Sequence, residues 1–269
     1  MSDPVIFELR SGVATLTLNL PERKNSLSTE LVNALADRLD EAIADDHVRI
    51  IVLTNAGNTF CAGADLKSER PGPANSGSRT FVDVFEIIQG SSKPVVGKID
   101  GHATGGGVGL AAVCDISVMR NDAKIGFTEV RLGVAPAVIS VVCLPKMSRA
   151  DASELFLTGE RFTPDRAAAV GLINRSVEPE MLDQTVQAFI DQVVKGGPNA
   201  LAAAKDLITR VPQLPADEAF VWTARRSQEL FDSAEARAGM AAFRDRAPAP
   251  WISQNSPSTD SAATEQQNR

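Results

Sequence analysis

The residues of this chain best placed to do chemistry offer backbone amides as well as side chains. Gly101-His102-Ala103-Thr104-Gly105-Gly106-Gly107-Val108-Gly109-Leu110 follows an apolar strand, 94–99, and opens into a small-residue helical run, 110–114. Glycine is a poor helix former, so several glycines at a helix start need a reason. Close approach of a ligand, or of another piece of backbone, supplies one. A helix N-terminus leaves N–H groups unpaired and favours negative charge. That combination suits a phosphate or a developing oxyanion. Phe60-Cys61-Ala62-Gly63-Ala64-Asp65-Leu66 makes a similar offer after a second strand, 50–54, and the turn 55–58. Two strand ends, each followed by a small-residue loop, can present two N–H donors to one oxygen. Such an oxyanion hole is often the largest single term in acyl chemistry.

The surrounding pattern says how these loops are carried. Residues 5–9 and 13–18 read as two short strands around Ser11-Gly12. Ser28 is placed as an N-cap, and Leu31, Leu35, Leu39, Ala42 and Ile43 share one face of the helix that follows. The continuous apolar run 50–54 fits a strand covered on both faces. Residues 68–78, with Pro71-Gly72-Pro73, read as a loop and a candidate lid beside the second amide loop. Phe81, Val82, Phe85 and Ile88 suggest another amphipathic helix. Strand 94–99, the glycine-rich helix and strand 115–119 repeat a β–α–β rhythm, which predicts parallel strands with right-handed crossovers. Beyond about Arg149 the texture is helical, and several segments carry proline in their first turn. The tail from 252 is polar and reads as disordered.

Composition narrows the classes. The net charge of −7 argues against nucleic-acid binding by bulk electrostatics. The N-terminal MSDPVIFELR lacks the pattern of a signal peptide, and the apolar stretch 103–119 is broken by glycines and Asp115. It reads as a buried helix and strand, so no membrane partner is expected. Cys61, Cys114 and Cys143 have no metal or redox spacing and read as reduced packing residues of a cytoplasmic protein. With only His47 and His102 present, no His-rich metal site is expected. Gly107-Val108-Gly109-Leu110-Ala111-Ala112 fits a G-x-G-x-x-A dinucleotide pattern. The stretch 101–104, read as a loop, separates it too widely from strand 94–99 for the tight turn that pattern needs.

Several motifs occur in a telling order: Pro21-Glu22-Arg23-Lys24-Asn25-Ser26-Leu27-Ser28, Phe60 to Leu66, and Lys93-Pro94-Val95-Val96 running into Gly105-Gly106-Gly107. Cys114-Asp115-Ile116, Glu129-Val130-Arg131-Leu132-Gly133 and Leu157-Thr158-Gly159-Glu160 follow. In this set the chain resembles the crotonase, or enoyl-CoA hydratase/isomerase, superfamily from about Val5 to Trp251.

The resemblance implies an α/β fold, a crotonase-like ββα spiral of parallel strands with a helical C-terminal trimerisation region. It divides the chain into a spiral core, 1–195, and a helical region for oligomerisation and pocket closure, 196–251, with the tail 252–269 beyond. It implies an acyl-CoA thioester as ligand, a homotrimer or hexamer, and no metal or further cofactor. By position the oxyanion donors are the N–H groups of Ala64 and Gly106. Contacts to substrate fall on Arg23, Lys24, Ser26, Ala62, Asp65, Leu66, Gly105 and Gly109. Lys24 lies near the CoA adenine or phosphates, and Arg246 matches a basic residue lent across a subunit interface. Read by themselves, Lys24 and Arg246 are equally solvated surface residues, Asp65 suits an Asx turn, and His102 packs under the glycine loop.

One position departs from the family pattern. Two-glutamate hydratases carry a Glu just after the triple glycine, where this chain has Gly109. Glu129 matches the second glutamate and is the one catalytic carboxylate left. The Asp of dienoyl-CoA isomerases falls at Ala137. Residues 129–140 with the GGGVGL run also resemble branched glutaconyl-CoA hydratases, which have Gly at the first position. The resulting expectation is hydration of a 2-enoyl-CoA, branched chains included. A 3-enoyl to 2-enoyl isomerase and a non-catalytic acyl-CoA binder are the alternatives.

Overall fold

The computed structural model describes residues 3–65 and 79–252. Leu66, the whole candidate lid 68–78 and the tail from 253 lie outside the described residues. In chain order the elements are β1 (Val5–Arg10), β2 (Val13–Leu18), α1 (Thr29–Ala44), β3 (Ile50–Asn55), β4 (Thr59–Cys61), α2 (Phe81–Gly90) and β5 (Val95–Ile99). Next come β6 (His102–Thr104), α3 (Gly106–Val113), β7 (Ile116–Arg120), β8 (Ile125–Gly126), α4 (Ala137–Cys143), α5 (Arg149–Thr158) and β9 (Arg161–Phe162). The chain ends with α6 (Pro164–Ala169), β10 (Arg175–Val177), α7 (Leu182–Val193), α8 (Pro198–Arg210), α9 (Ala216–Phe231) and α10 (Ala234–Arg244).

One sheet has the order β1-β2-β3-β5-β7-β10. Its first pair is antiparallel, and the other described pairs are parallel. β3 is buried at every residue. Ile51 and Leu53 join the core formed with α1, α2 and α3, while Ile50 and Val52 pack with Leu182, Val186 and Ile190 of α7. Burial on both faces explains why β3 reads as an unbroken apolar run. Ser28 caps α1 by accepting a hydrogen bond from Leu31 N–H, and Leu31, Leu35, Leu39 and Ala42 are buried on one side.

A second sheet, β4-β6-β8-β9, stands at the ends of the first. Its strands are two or three residues long, too short to show a period of two in the sequence. Residues 102–104 are therefore a strand and not the loop expected from their composition; β6 pairs with β4 and β8. The following helix begins at Gly106, four residues before the helical run read from the sequence. Packing overrides propensity here: a Cβ on Gly107 would lie 2.1 Å from the Cys61 carbonyl oxygen, so only glycine lets α3 start against β4. β9 and β10 likewise interrupt the C-terminal half that reads as wholly helical.

The C-terminal helices are tied back by polar groups. Lys205 of α8 is buried, pairs with Asp115 at 2.7 Å and donates to the Lys93 and Ile88 carbonyls. Glu235 of α10 accepts from Asn199 and Ala200 N–H at the start of α8, satisfying donors that a helix leaves open. α9 and α10 bury none of their residues in this single chain, and Phe231 and Phe243 are both exposed.

Candidate active site

The two amide loops meet backbone to backbone. Gly63 has φ +82°, and a Cβ there would lie 2.7 Å from the Thr104 carbonyl oxygen and 2.9 Å from Gly106 N. Only glycine tolerates both the conformation and the approach. Thr104 Oγ1 donates to the Ala62 carbonyl at 3.1 Å, a second tie between the loops. Gly106 is the first residue of α3, so its N–H has no partner within the helix. Among the described residues, neither the Ala64 nor the Gly106 N–H donates to a protein acceptor. Gly105 N–H is already given to the Gly126 carbonyl and is not a third donor. Ala64 is exposed and Gly106 half-buried, so both amides are open to a guest.

The first loop is held from behind by 20–28. Ala62 N–H donates to Lys24 O, Leu27 N–H donates to Gly63 O, and Leu27 forms a parallel bridge with Ala64. Asn25 anchors that segment. Fully buried at φ +49°, it accepts from Leu20 N–H at 2.8 Å and donates to the Thr59 and Ala56 carbonyls at 2.8 and 3.1 Å. Asparagine tolerates the left-handed region better than most residues, and three partners fix it there. The sequence reading quoted Asn25 in a motif but gave it no role. Its signal was an amide residue inside a turn.

Glu129 opens a short 3-10 turn, Glu129–Leu132, directly after the second sheet. Its carboxyl lies over the glycine loop: a Cβ on Gly105 would sit 3.4 Å from Oε1. Oε2 is buried with no hydrogen-bond partner. Burial pushes the Glu129 carboxyl above its ordinary range, and its own backbone N–H draws it only partly back. A half-buried carboxyl with one unpartnered oxygen beside the Gly105–Gly106 turn is a candidate for proton transfer.

The other singled-out residues are distributed as follows. Arg23 is exposed and pairs with Asp65 at 2.8 Å and Glu30 at 3.1 Å. Lys24 is exposed at φ +54°. Ser26 is buried, with its N–H donated to Arg23 O. His102 sits in β6, where Nδ1 accepts from Lys124 N–H at 2.9 Å. Arg246 follows α10 at φ +54°, and its recorded hydrogen bond, from its N–H to the Phe243 carbonyl, does not reach the amide loops. The three cysteine thiols are buried and pushed up to about 12, so they are protonated packing groups.

Residues 8–254 match the enoyl-CoA hydratase/isomerase family. The chain belongs to that family. It is 34% identical over 245 residues to a Thermus thermophilus protein provisionally named enoyl-CoA hydratase, covering 89% of this chain and 97% of the relative. It is 31% identical to the (E)-benzylidenesuccinyl-CoA hydratase of Thauera aromatica, covering 90% and 96% of the two chains. Its fold matches the crystal structure of an enoyl-CoA hydratase of Mycobacterium smegmatis with a TM-score of 0.86 and 30% identity, covering 93% of this chain and all of that one. The mixed α/β architecture is thus the crotonase fold. Gly109, where the resemblance leads one to expect a glutamate, is closely surrounded. A Cβ there would lie 2.4 Å from Ile139 Cγ2 and 2.7 Å from Phe85 Cζ, so apolar side chains fill the space beside it.

Proposed function

We propose that this protein adds water across the double bond of a 2-enoyl-CoA, branched acyl chains included. The observation that carries the reading is the Glu129 carboxyl, its Oε2 buried without a partner, lying against the Gly105–Gly106 turn. The thioester oxygen accepts hydrogen bonds from Ala64 and Gly106 N–H. Water adds its oxygen at C3 while the C2–C3 π pair moves toward C2 and the thioester oxygen. Glu129 takes a proton from that water and delivers one to C2. The sum is one water added, with no redox change and no cofactor beyond the CoA of the substrate. Amides aimed at the developing charge stabilise the transition state more than the ground state; one such donor is typically worth about 10²–10³ in rate. The absence of a second base at Gly109 costs on the order of a hundredfold.

The hydratase names of the relatives favour this over the second reading, a 3-enoyl to 2-enoyl isomerase. That alternative is motivated by the single carboxylate, which would carry a proton from C2 to C4. A non-catalytic binder, the third reading, leaves the desolvated Glu129 without a purpose.

Arg23 and Lys24 supply positive charge near the CoA. Arg246 of a neighbouring copy is a further candidate, since we propose a homotrimer or hexamer. Phe220, Phe231 and Phe243 are 62–85% exposed on helices with no buried face, a pattern that marks a protein interface. Among the described residues no helix is long and apolar enough to cross a membrane. We place the reaction in the cytoplasm, in keeping with three unpaired cysteines.

The test is to incubate the protein separately with crotonyl-CoA, 3-methylglutaconyl-CoA and 3-hexenoyl-CoA and to weigh the products. A gain of one water supports hydration. Isomerisation at constant mass, or binding without turnover, selects an alternative.

A further inference from the structure

Gly105, the N-cap of α3, and Gly109, in its first turn, are four residues apart and joined by the Gly109 N–H to Gly105 O hydrogen bond of 3.4 Å. The two glycines meet different surroundings. Gly105 meets the Glu129 carboxyl; Gly109 meets Ile139 and Phe85. The donor at Gly106 is flanked by Leu27 and Phe81, whose Cδ1 and Cε1 would lie 2.6 and 3.3 Å from a Cβ there. Phe81 is half-buried and packs on Phe85 with ring centroids 4.3 Å apart. Phe85 and Ile139 are both buried, at 4% and 3% exposure. The apolar surface therefore starts in the open beside the oxyanion donor and ends in a closed wall. Gly109 lies three residues beyond Gly106, about 4.5 Å along the helix axis.

We infer that Phe85 and Ile139 are specificity-determining residues that stop the acyl chain about one helical turn behind the Gly106 amide, so the site takes short apolar acyl groups. An acyl group whose thioester oxygen sits on Gly106 N–H and whose reacting carbons face Glu129 extends along the apolar surface that runs from Phe81 to Phe85. Its distal carbons then meet the Phe85 ring and the Ile139 side chain. The wall needs Gly109, because any larger residue there would displace both. It is built entirely of hydrocarbon, so it offers no partner for a charged chain end. Interiors are packed closely enough that truncating either residue opens real volume.

The inference rests on the acyl-CoA reading above, and its test avoids turnover. Calorimetry would measure binding of saturated acyl-CoAs, from butyryl to dodecanoyl, to the full chain and to Ile139→Ala and Phe85→Ala. The wild type should bind butyryl- or hexanoyl-CoA most tightly. Each variant should move that optimum to longer chains and bind decanoyl-CoA at least tenfold more tightly than wild type. Ile139→Val and Phe85→Leu serve where the alanine variants fail to fold, and should shift the optimum in the same direction by less. An unchanged chain-length profile in every folded variant, or a wild type that prefers dodecanoyl-CoA, overturns the inference. A wild type that hydrates no enoyl-CoA yet shows the short-chain binding profile overturns hydration and supports the wall.

Discussion

The Glu129 carboxyl and the Gly105 backbone are in near van der Waals reach, with Oε1 3.4 Å from where a Gly105 Cβ would stand. Gly105 also has φ +55°, a conformation that L side chains resist. Gly105→Ala should therefore strain the turn by about 1–3 kcal/mol and shift the backbone that the carboxyl adjoins. Turnover should fall, while a melt shows a folded protein of lower stability. Unchanged turnover would separate this turn from the chemistry.

Glu129→Gln should lower kcat by about 10²–10⁴, the usual contribution of one general acid–base group. The same change should raise the melting temperature at neutral pH. Burial favours the protonated carboxyl in the folded state, so the folded form binds more protons than the unfolded one. That stabilisation is fully present below the ordinary value of 4.5 and is lost as pH rises through the raised folded value. Gln keeps the neutral shape and removes the loss. Melts of both proteins between pH 4 and 8 should converge at the acid end.

Hydration needs Glu129 ionised in the free enzyme to accept a proton from water. kcat/KM should therefore fall as pH drops through the raised Glu129 value, above the range of an ordinary glutamate. A profile flat down to the ordinary carboxyl range would remove Glu129 as the base.

Asn25→Ala would leave Leu20 N–H and the Thr59 and Ala56 carbonyls without their side-chain partner. Unmet buried groups cost about 1–3 kcal/mol. The loop 62–64, held by Lys24 and Leu27, should loosen with it. A misplaced donor costs up to about a hundredfold in kcat. Denaturant melts and saturation kinetics measured together would show both effects.

Much of this molecule was legible in its sequence because the relevant signals were local and long enough. The apolar run of β3, the Ser28 cap and the spacing of Leu31, Leu35 and Leu39 each state a burial that the fold realises. The two amide loops could be read because glycines and alanines cluster after a strand, where backbone is approached closely. The second sheet was not legible, since two- and three-residue strands carry no period. The start of α3 was misplaced because glycine propensity argues against a helix that tight packing on Cys61 requires. Asn25, Phe85 and Ile139 were missed as site-shaping residues for a related reason. Their roles depend on partners such as Thr59 for Asn25 and Gly109 for Phe85 and Ile139, more than twenty residues away, and no local pattern records such partners.

The most direct test is hydration of crotonyl-CoA in D₂O, with NMR of the 3-hydroxybutyryl product and a parallel reaction of Glu129→Gln. One carboxyl serving both water and C2 predicts a single deuterium at C2, on the same face as the new hydroxyl, and its near-complete loss in the variant. Addition from opposite faces, or a variant as fast as wild type, would mean that a group other than Glu129 moves the proton.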